Sequence, residues 1–281
     1  MTTLSESTSD DGEVLRRGKL TVIGRIRSAS NATFLCESVL DERSVHCVYK
    51  PVAGEAPLWD FPDGTLAGRE RGAYLVSAAL GWNVVPYTII RDGPAGPGML
   101  QRWVDQPSDE PPVDEPADDD TPKGPDLVDL VPAGAVPAGF LPVLQAYDYS
   151  GDEVTLVHAD DDRLRRLAVF DVVINNADRK GGHVLCGVDG NVYGVDHGVT
   201  LHVEDKLRTV LWGWAGKPID DGTLDDLAAL ERDLAGGLGA ELRDHITAAE
   251  IAALRARIVD LLRNPVMPTP DRGRPIPWPA F

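Results

Sequence analysis

Asp178, His183 and Asp196 are the residues whose types and spacing could do chemistry. The first two sit in a polar loop, Asn175-Asn176-Ala177-Asp178-Arg179-Lys180-Gly181-Gly182-His183, which follows an apolar helix end at Leu167 to Ile174. A predicted hairpin comes next, with strands at Val184 to Gly187 and Asn191 to Val195, and Asp189-Gly190 in its turn is a strong hairpin signal. The second strand runs directly into Asp196-His197-Gly198. A carboxylate in a polar loop, a metal-capable side chain five residues on and a second carboxylate just past a hairpin form a layout suited to phosphoryl transfer. One acid can orient an acceptor hydroxyl. The other acid and its partner can hold Mg²⁺ against the phosphates of ATP.

These residues need a scaffold, and the chain predicts one. Residues 1–13, acidic and rich in Ser and Thr, read as disordered and carry no secretory signal. Predicted strands at Leu20 to Ile26, Thr33 to Val39 and Ser44 to Lys50 form an antiparallel meander, followed by a helix from Thr65 to Leu80 that Gly81 can end. Strands at Val84 to Ile90 and Gly98 to Val104 complete a small β lobe spanning 14–104. Between 105 and 126 the composition turns to Asp, Glu and Pro, which cannot bury apolar surface and predicts a solvated loop. A mostly helical lobe over 127–263 follows, with helices expected at Phe140 to Tyr147, Asp162 to Ile174, Leu224 to Leu234 and Ile246 to Leu262. Asp160 and Asp161 are N-cap candidates for the second of these. The tail, 264–281, is Pro-rich and predicted to lie extended through Ile276, Trp278 and Phe281. The fold class is therefore α+β.

The net charge of −18 argues against nonspecific binding to nucleic acid and against bulk docking on an anionic membrane. No apolar run approaches the roughly 20 residues a membrane span requires. Cys36, Cys47 and Cys186 lie singly in apolar strands and read as buried free thiols, so the expected compartment is the cytoplasm. Lys50 closes the third strand, where its ammonium can meet α/β-phosphates or simply face solvent. The turn Ser28 to Thr33 is made of small residues whose N–H groups can approach phosphate oxygens, although an ordinary hairpin turn reads the same way. After Gly198, the segment with Lys206, Arg208, Lys217, Trp212 and Trp214 could hold an acceptor, or its tryptophans could pack the large lobe.

The order Asp-Arg, His, then Val-Asp-His-Gly, together with Glu70 in the helix segment AGRERGAYLVSAALGWNVVPYT, resembles the phosphatidylinositol 3- and 4-kinase family. The type II phosphatidylinositol 4-kinases are most similar in motif, and the chain is identified as a short, bacterial-type member. The resemblance spans roughly Val22 to Trp214 and implies a two-lobed protein-kinase-like fold with ATP bound between the lobes. It implies that Asp178, Arg179 and Lys180 form the catalytic loop, with Asp178 taking or orienting the acceptor proton. Lys50 paired with Glu70, the turn residues Ser30, Asn31 and Ala32, and the hinge at Gln101, Arg102 and Trp103 are then the ATP-binding set. His183 and Asp196 are the metal ligands. His183 stands where the family has Asn; imidazole suits transition ions better than Mg²⁺, so the expected cation is Mg²⁺ or Mn²⁺. The implied activity is transfer of the ATP γ-phosphate to a lipid, protein or small-molecule hydroxyl, with a nucleotide-binding regulator as the alternative.

Overall fold

The computed structural model describes residues 10–26, 31–107, 126–271 and 273–281. Ser30, residues 1–9 and most of the acidic stretch fall outside these.

The chain enters through a helix, α1 (Asp10–Arg17), where residues 10–13 had been expected to be unstructured. Its acidic residues Asp10, Asp11 and Glu13 lie in the first turn and Arg16 and Arg17 in the last, which matches the helix dipole, while Val14 and Leu15 are buried. Strands β1 (Lys19–Arg25), β2 (Phe34–Leu40) and β3 (Arg43–Pro51) follow as the expected meander. With β4 (Thr88–Gly93) and β5 (Gly96–Arg102) they form one antiparallel sheet in the order β1-β2-β3-β5-β4. Side chains alternate across β3. Cys47 and Tyr49 are fully buried with Cys36, Leu100 and Leu15 of α1. Val48 and Lys50, on the opposite face, are only half covered.

Helix α2 (Leu66–Ala79) begins at Thr65, whose side chain accepts from Gly68 N–H, and ends before Gly81 at φ +67°. It is buried on nearly every side, because it lies between the sheet and the helices that follow. Arg69 reaches across to Glu250 and to the carbonyls of Thr200 and Asp63, and Arg71 reaches Glu241 and the carbonyl of Thr88.

A second antiparallel sheet, β6 (Val128–Pro132), β7 (Phe140–Tyr147) and β8 (Glu153–Ala159), runs in the order β6-β8-β7. The helix expected at Phe140 to Tyr147 is therefore a strand. Leu141 and Val143 pack on the core while Pro142 and Leu144 face out, a period of two rather than 3.6. Pro142 is tolerated because β7 is an edge strand with its irregularity between Pro142 and Leu144. The chain then forms α3 (Asp162–Ile174), the short hairpin β9 (Val184–Cys186) and β10 (Val192–Gly194), and helices α4 (Asp221–Leu234), α5 (Gly237–Leu242) and α6 (Ala248–Arg263). Asp161 caps α3, whereas Asp160 accepts from Trp214 Nε1. The main core joins α2, α3, α4 and α6 through residues such as Val76, Leu167, Leu227 and Leu254. The tail packs through Ile276 and Ala280, with Trp278 left 79% exposed.

Candidate active site

The loop after α3 is shaped from its helix. Asn175 ends α3 in the left-handed region at φ +55°, where its side-chain amide donates to the carbonyls of His202 and Glu204. The Asn176 amide donates to Asp171 Oδ1, and its oxygen accepts from Asp178 N–H, which sets the position of Asp178.

Arg179 is the anchor, with no exposed side-chain surface, and neither has its partner Asp171. Guanidinium has five N–H donors, and all five are used here. Nε and one Nη2 hydrogen go to Asp171, at 3.0 and 2.9 Å. Nη1 donates to the carbonyls of His183 and Val195, at 3.1 and 3.0 Å, and the last Nη2 hydrogen goes to His197 Nε2 at 2.7 Å. A Cβ on Gly194 would fall 2.7 Å from Nη2, so β10 passes the guanidinium only as bare backbone. Thr209 also donates its hydroxyl to Asp171.

The β9–β10 hairpin then brings Asp196 back to the loop, with Val195 N–H donating to the His183 carbonyl. Asp196 sits at φ +60°, an unfavourable backbone conformation for a residue with a Cβ, and its side chain remains half exposed. Lys50 Nζ lies 2.6 Å from Asp196 Oδ1 and 2.7 Å from Glu70 Oε1. The other Glu70 oxygen accepts from His197 N–H at 2.9 Å. Burial opposes the Lys50 charge, but the two carboxylates outweigh it and hold its pKa above the ordinary value. Lys50 in turn holds the Asp196 carboxyl well below the usual carboxylate range, so Asp196 is ionised. Burial pushes the Asp178 carboxyl up against the pull of Lys180, whose ammonium is 3.6 Å away.

His183 and Asp196 test the fit of a metal. A carbonyl can only accept, so His183 Nδ1 donates to the Asp178 carbonyl at 3.0 Å. Burial pushes the imidazole pKa down to about 4, against the pull of Asp196, so the ring is neutral and Nε2 carries a lone pair. That lone pair lies 3.5 Å from Asp196 Oδ2. A nitrogen donor and an ionised oxygen facing each other suit a divalent cation between them. Among the described residues no group of three His, Cys, Asp or Glu could hold a metal, which leaves the remaining positions to phosphate oxygens and water. The donor set fits a divalent ion whose other ligands come from outside the protein.

Lys50, Glu70, Asp178 and Asp196 line one cleft of about 330 Å³, joined on the far side by Phe61 and Arg208. Asn31 and Ala32 line it too, but they are tied to the loop after β3: Asn31 Oδ1 accepts from Ala56 N–H, and Ala32 N–H donates to the Gly54 carbonyl. Gln101, Arg102 and Trp103 do not line it. The Gln101 side chain is buried on Thr88, and the N–H groups of Arg102 and Trp103 donate to the carbonyls of Tyr87 and His46. Trp212 and Trp214 are buried in the large lobe, held through Pro275 and Asp160, and take no part in the cleft. Lys206 pairs with Asp60 and Glu204, and Lys217 is exposed elsewhere.

Asp171 and Asn176 escaped the sequence reading. Within Phe-Asp-Val-Val, Asp171 resembles any polar residue on a helix; the one available signal was an acid two turns before an Asp-Arg pair.

No family model matches the chain. Among solved structures, it is similar to the golgi casein kinase with a TM-score of 0.48 and 11% identity, over 90% of this chain and 73% of that one. Among curated proteins, Protein Rv2133c of Mycobacterium tuberculosis is 69% identical over 272 residues, covering 97% of this chain and 96% of that protein. The chain belongs to the family of Protein Rv2133c.

Proposed function

We propose that the protein is an ATP-dependent phosphotransferase of the phosphatidylinositol 3/4-kinase-like type, acting on a hydroxyl acceptor. The observation that carries this reading is the convergence of Lys50, Glu70, Asp178 and Asp196 on one cleft from four separate segments of the chain, with His183 facing Asp196 beside it. Lys50, oriented by Glu70, meets the phosphate tail. The half-covered sheet face of Val48 and Leu35, which are paired across β3 and β2 beside Lys50, would hold the adenine. Val104, the residue after the expected hinge, whose backbone groups have no partner among the described residues, would take its edge.

His183 Nε2 and Asp196 Oδ2 would hold the divalent ion, which when bound neutralises charge along the β- and γ-phosphates. Asp178 accepts the proton of the acceptor hydroxyl as its oxygen bonds to the γ-phosphorus and the bond to the β–γ bridging oxygen breaks, releasing ADP. The raised pKa of Asp178 suits it to that role. Arg179 keeps the loop in place without touching substrate.

Calorimetry with Mn²⁺–ATP and initial-rate assays separate the two halves of this reading. Asp178→Asn should bind nucleotide as the wild type does, with kcat lowered about 10²- to 10⁴-fold. Equal turnover by the variant would reject Asp178 as the base. A nucleotide-binding regulator is the second reading, favoured by the direct Lys50–Asp196 pair and by an imidazole at the second ligand position. It predicts binding without turnover in both proteins.

A further inference from the structure

Among the described residues, His197 is a buried titratable side chain at the site to which the proposed chemistry gives no part. Its ring has no exposed surface and lies edge-to-face on Phe170, with centroids 5.9 Å apart. The surroundings settle its tautomer. Arg179 Nη2 can only donate, so His197 Nε2 must accept and the proton must sit on Nδ1. That Nδ1–H is buried with no partner among the described residues. An orphaned buried donor is a cost that an apolar side chain of similar size would avoid, so the ring is kept for what Nε2 does.

Arg179 shows what that is. Its other four N–H groups fix Asp171 and the carbonyls of His183 and Val195. Those carbonyls belong to one candidate metal ligand and to the residue before the other. His197 supplies the fifth acceptor, and its own N–H is held by Glu70, the partner of Lys50. One residue thus ties the metal-side segment to the catalytic loop through its side chain and to the sheet lobe through its backbone.

We propose that His197 is a positioning residue, whose bare Nε2 completes the acceptor shell around Arg179 and thereby sets His183 Nε2 and Asp196 Oδ2 at cation-binding separation. It rests on the phosphotransferase reading only for the turnover measurement. The geometry does not need the imidazole as such: any acceptor at the Nε2 position would serve.

The protein, labelled with ¹⁵N-histidine, should show, beside the rings of His183 and His158 that share this state, a further ring with Nδ1 protonated and Nε2 bare that is lost in His197→Gln. Mn²⁺ binding, followed by electron paramagnetic resonance with and without ATP, should weaken about 10- to 100-fold in His197→Leu. Glutamine, whose amide oxygen can accept from Arg179, should recover most of that loss, and turnover should follow the same order. Nε2 protonation of the ring that disappears in His197→Gln would overturn the proposal. So would wild-type Mn²⁺ affinity in a folded His197→Leu, or equal weakening in the Leu and Gln variants. If the wild type binds Mn²⁺ but transfers no phosphate, the phosphotransferase reading fails while the resonance and metal-binding results still decide the role of His197.

Discussion

Arg179 and Asp171 form a fully buried ion pair, and such a pair is a liability when half of it is removed. Desolvating a guanidinium without its carboxylate costs more than the pair gains over an apolar substitute. Asp171→Ala should therefore destabilise the protein by about 3–5 kcal/mol, read as a lower midpoint in urea denaturation. Lys206→Ala, on a mostly covered pair with Asp60 that still reaches solvent, should cost less, about 1 kcal/mol, by the same measurement. At this scale the sequence was legible where chemistry-bearing residues were close in the chain: Asp178, His183 and Asp196 announce themselves by spacing. Asp171 did not, because its role exists only once the chain has turned at Asn175 and Asn176. The expected hinge residues Gln101, Arg102 and Trp103 lie off the cleft for a similar reason. Strand pairing consumes the N–H groups of Arg102 and Trp103, and pairing is not written in either residue.

Elements brace the site from outside. Gly181 N–H donates to the Ala280 carbonyl, and a Cβ on Gly181 would overlap the Phe281 ring. Thr209 N–H donates to the Pro275 carbonyl, so the tail touches both the loop from Asp178 to His183 and the segment after Asp196. Gly181→Ala should cost about 1–3 kcal/mol by overpacking, and Phe281→Ala in the same chain should restore most of it in thermal melts. Additive losses in the double variant would show that the contact is not formed. On the far side of the first sheet, α1 seals Cys36 and Cys47. Burial pushes the Cys36 thiol up to about 11 and the Cys47 thiol up to about 12. In the unfolded chain these thiols ionise near about pH 8.5. The folded state therefore holds more protons above that point, and its stability should fall as pH rises from about 8.5 towards 11–12. At pH 8, thiol-reactive reagents should modify Cys186, which is half exposed, and spare the other two until the protein unfolds. Helices with strong caps and strands with β-branched runs were legible. Strand β7 was not, because an apolar run with a central proline fits a helix start or an edge strand, and only its pairing with β8 decides between them.

Across the whole molecule, α2 links the sheet to the helices. Arg69 pairs with Glu250 at the capping box of α6, and Arg71 with Glu241 at α5. Glu70, and with it Lys50, therefore cannot shift against Asp196 without disturbing the buried Arg69–Glu250 pair and the partly exposed Arg71–Glu241 pair. Among the described residues no helix is long and apolar enough to cross a membrane. The net charge of −18 makes close approach to an anionic surface unfavourable. A neutral or cationic acceptor presentation should outperform an anionic vesicle, most clearly at low ionic strength, where charges are least screened. An imidazole and a carboxylate as the protein's donors should also make Mn²⁺ a better activator than Mg²⁺, and chelation should stop turnover without unfolding the chain. The most direct measurement follows the γ-phosphate of labelled ATP with Mn²⁺, for the wild type beside Asp196→Ala. Release or transfer by the wild type that falls to background in the variant is the predicted result. Equal turnover by the two proteins, or no nucleotide bound by either, would contradict the account of the cleft.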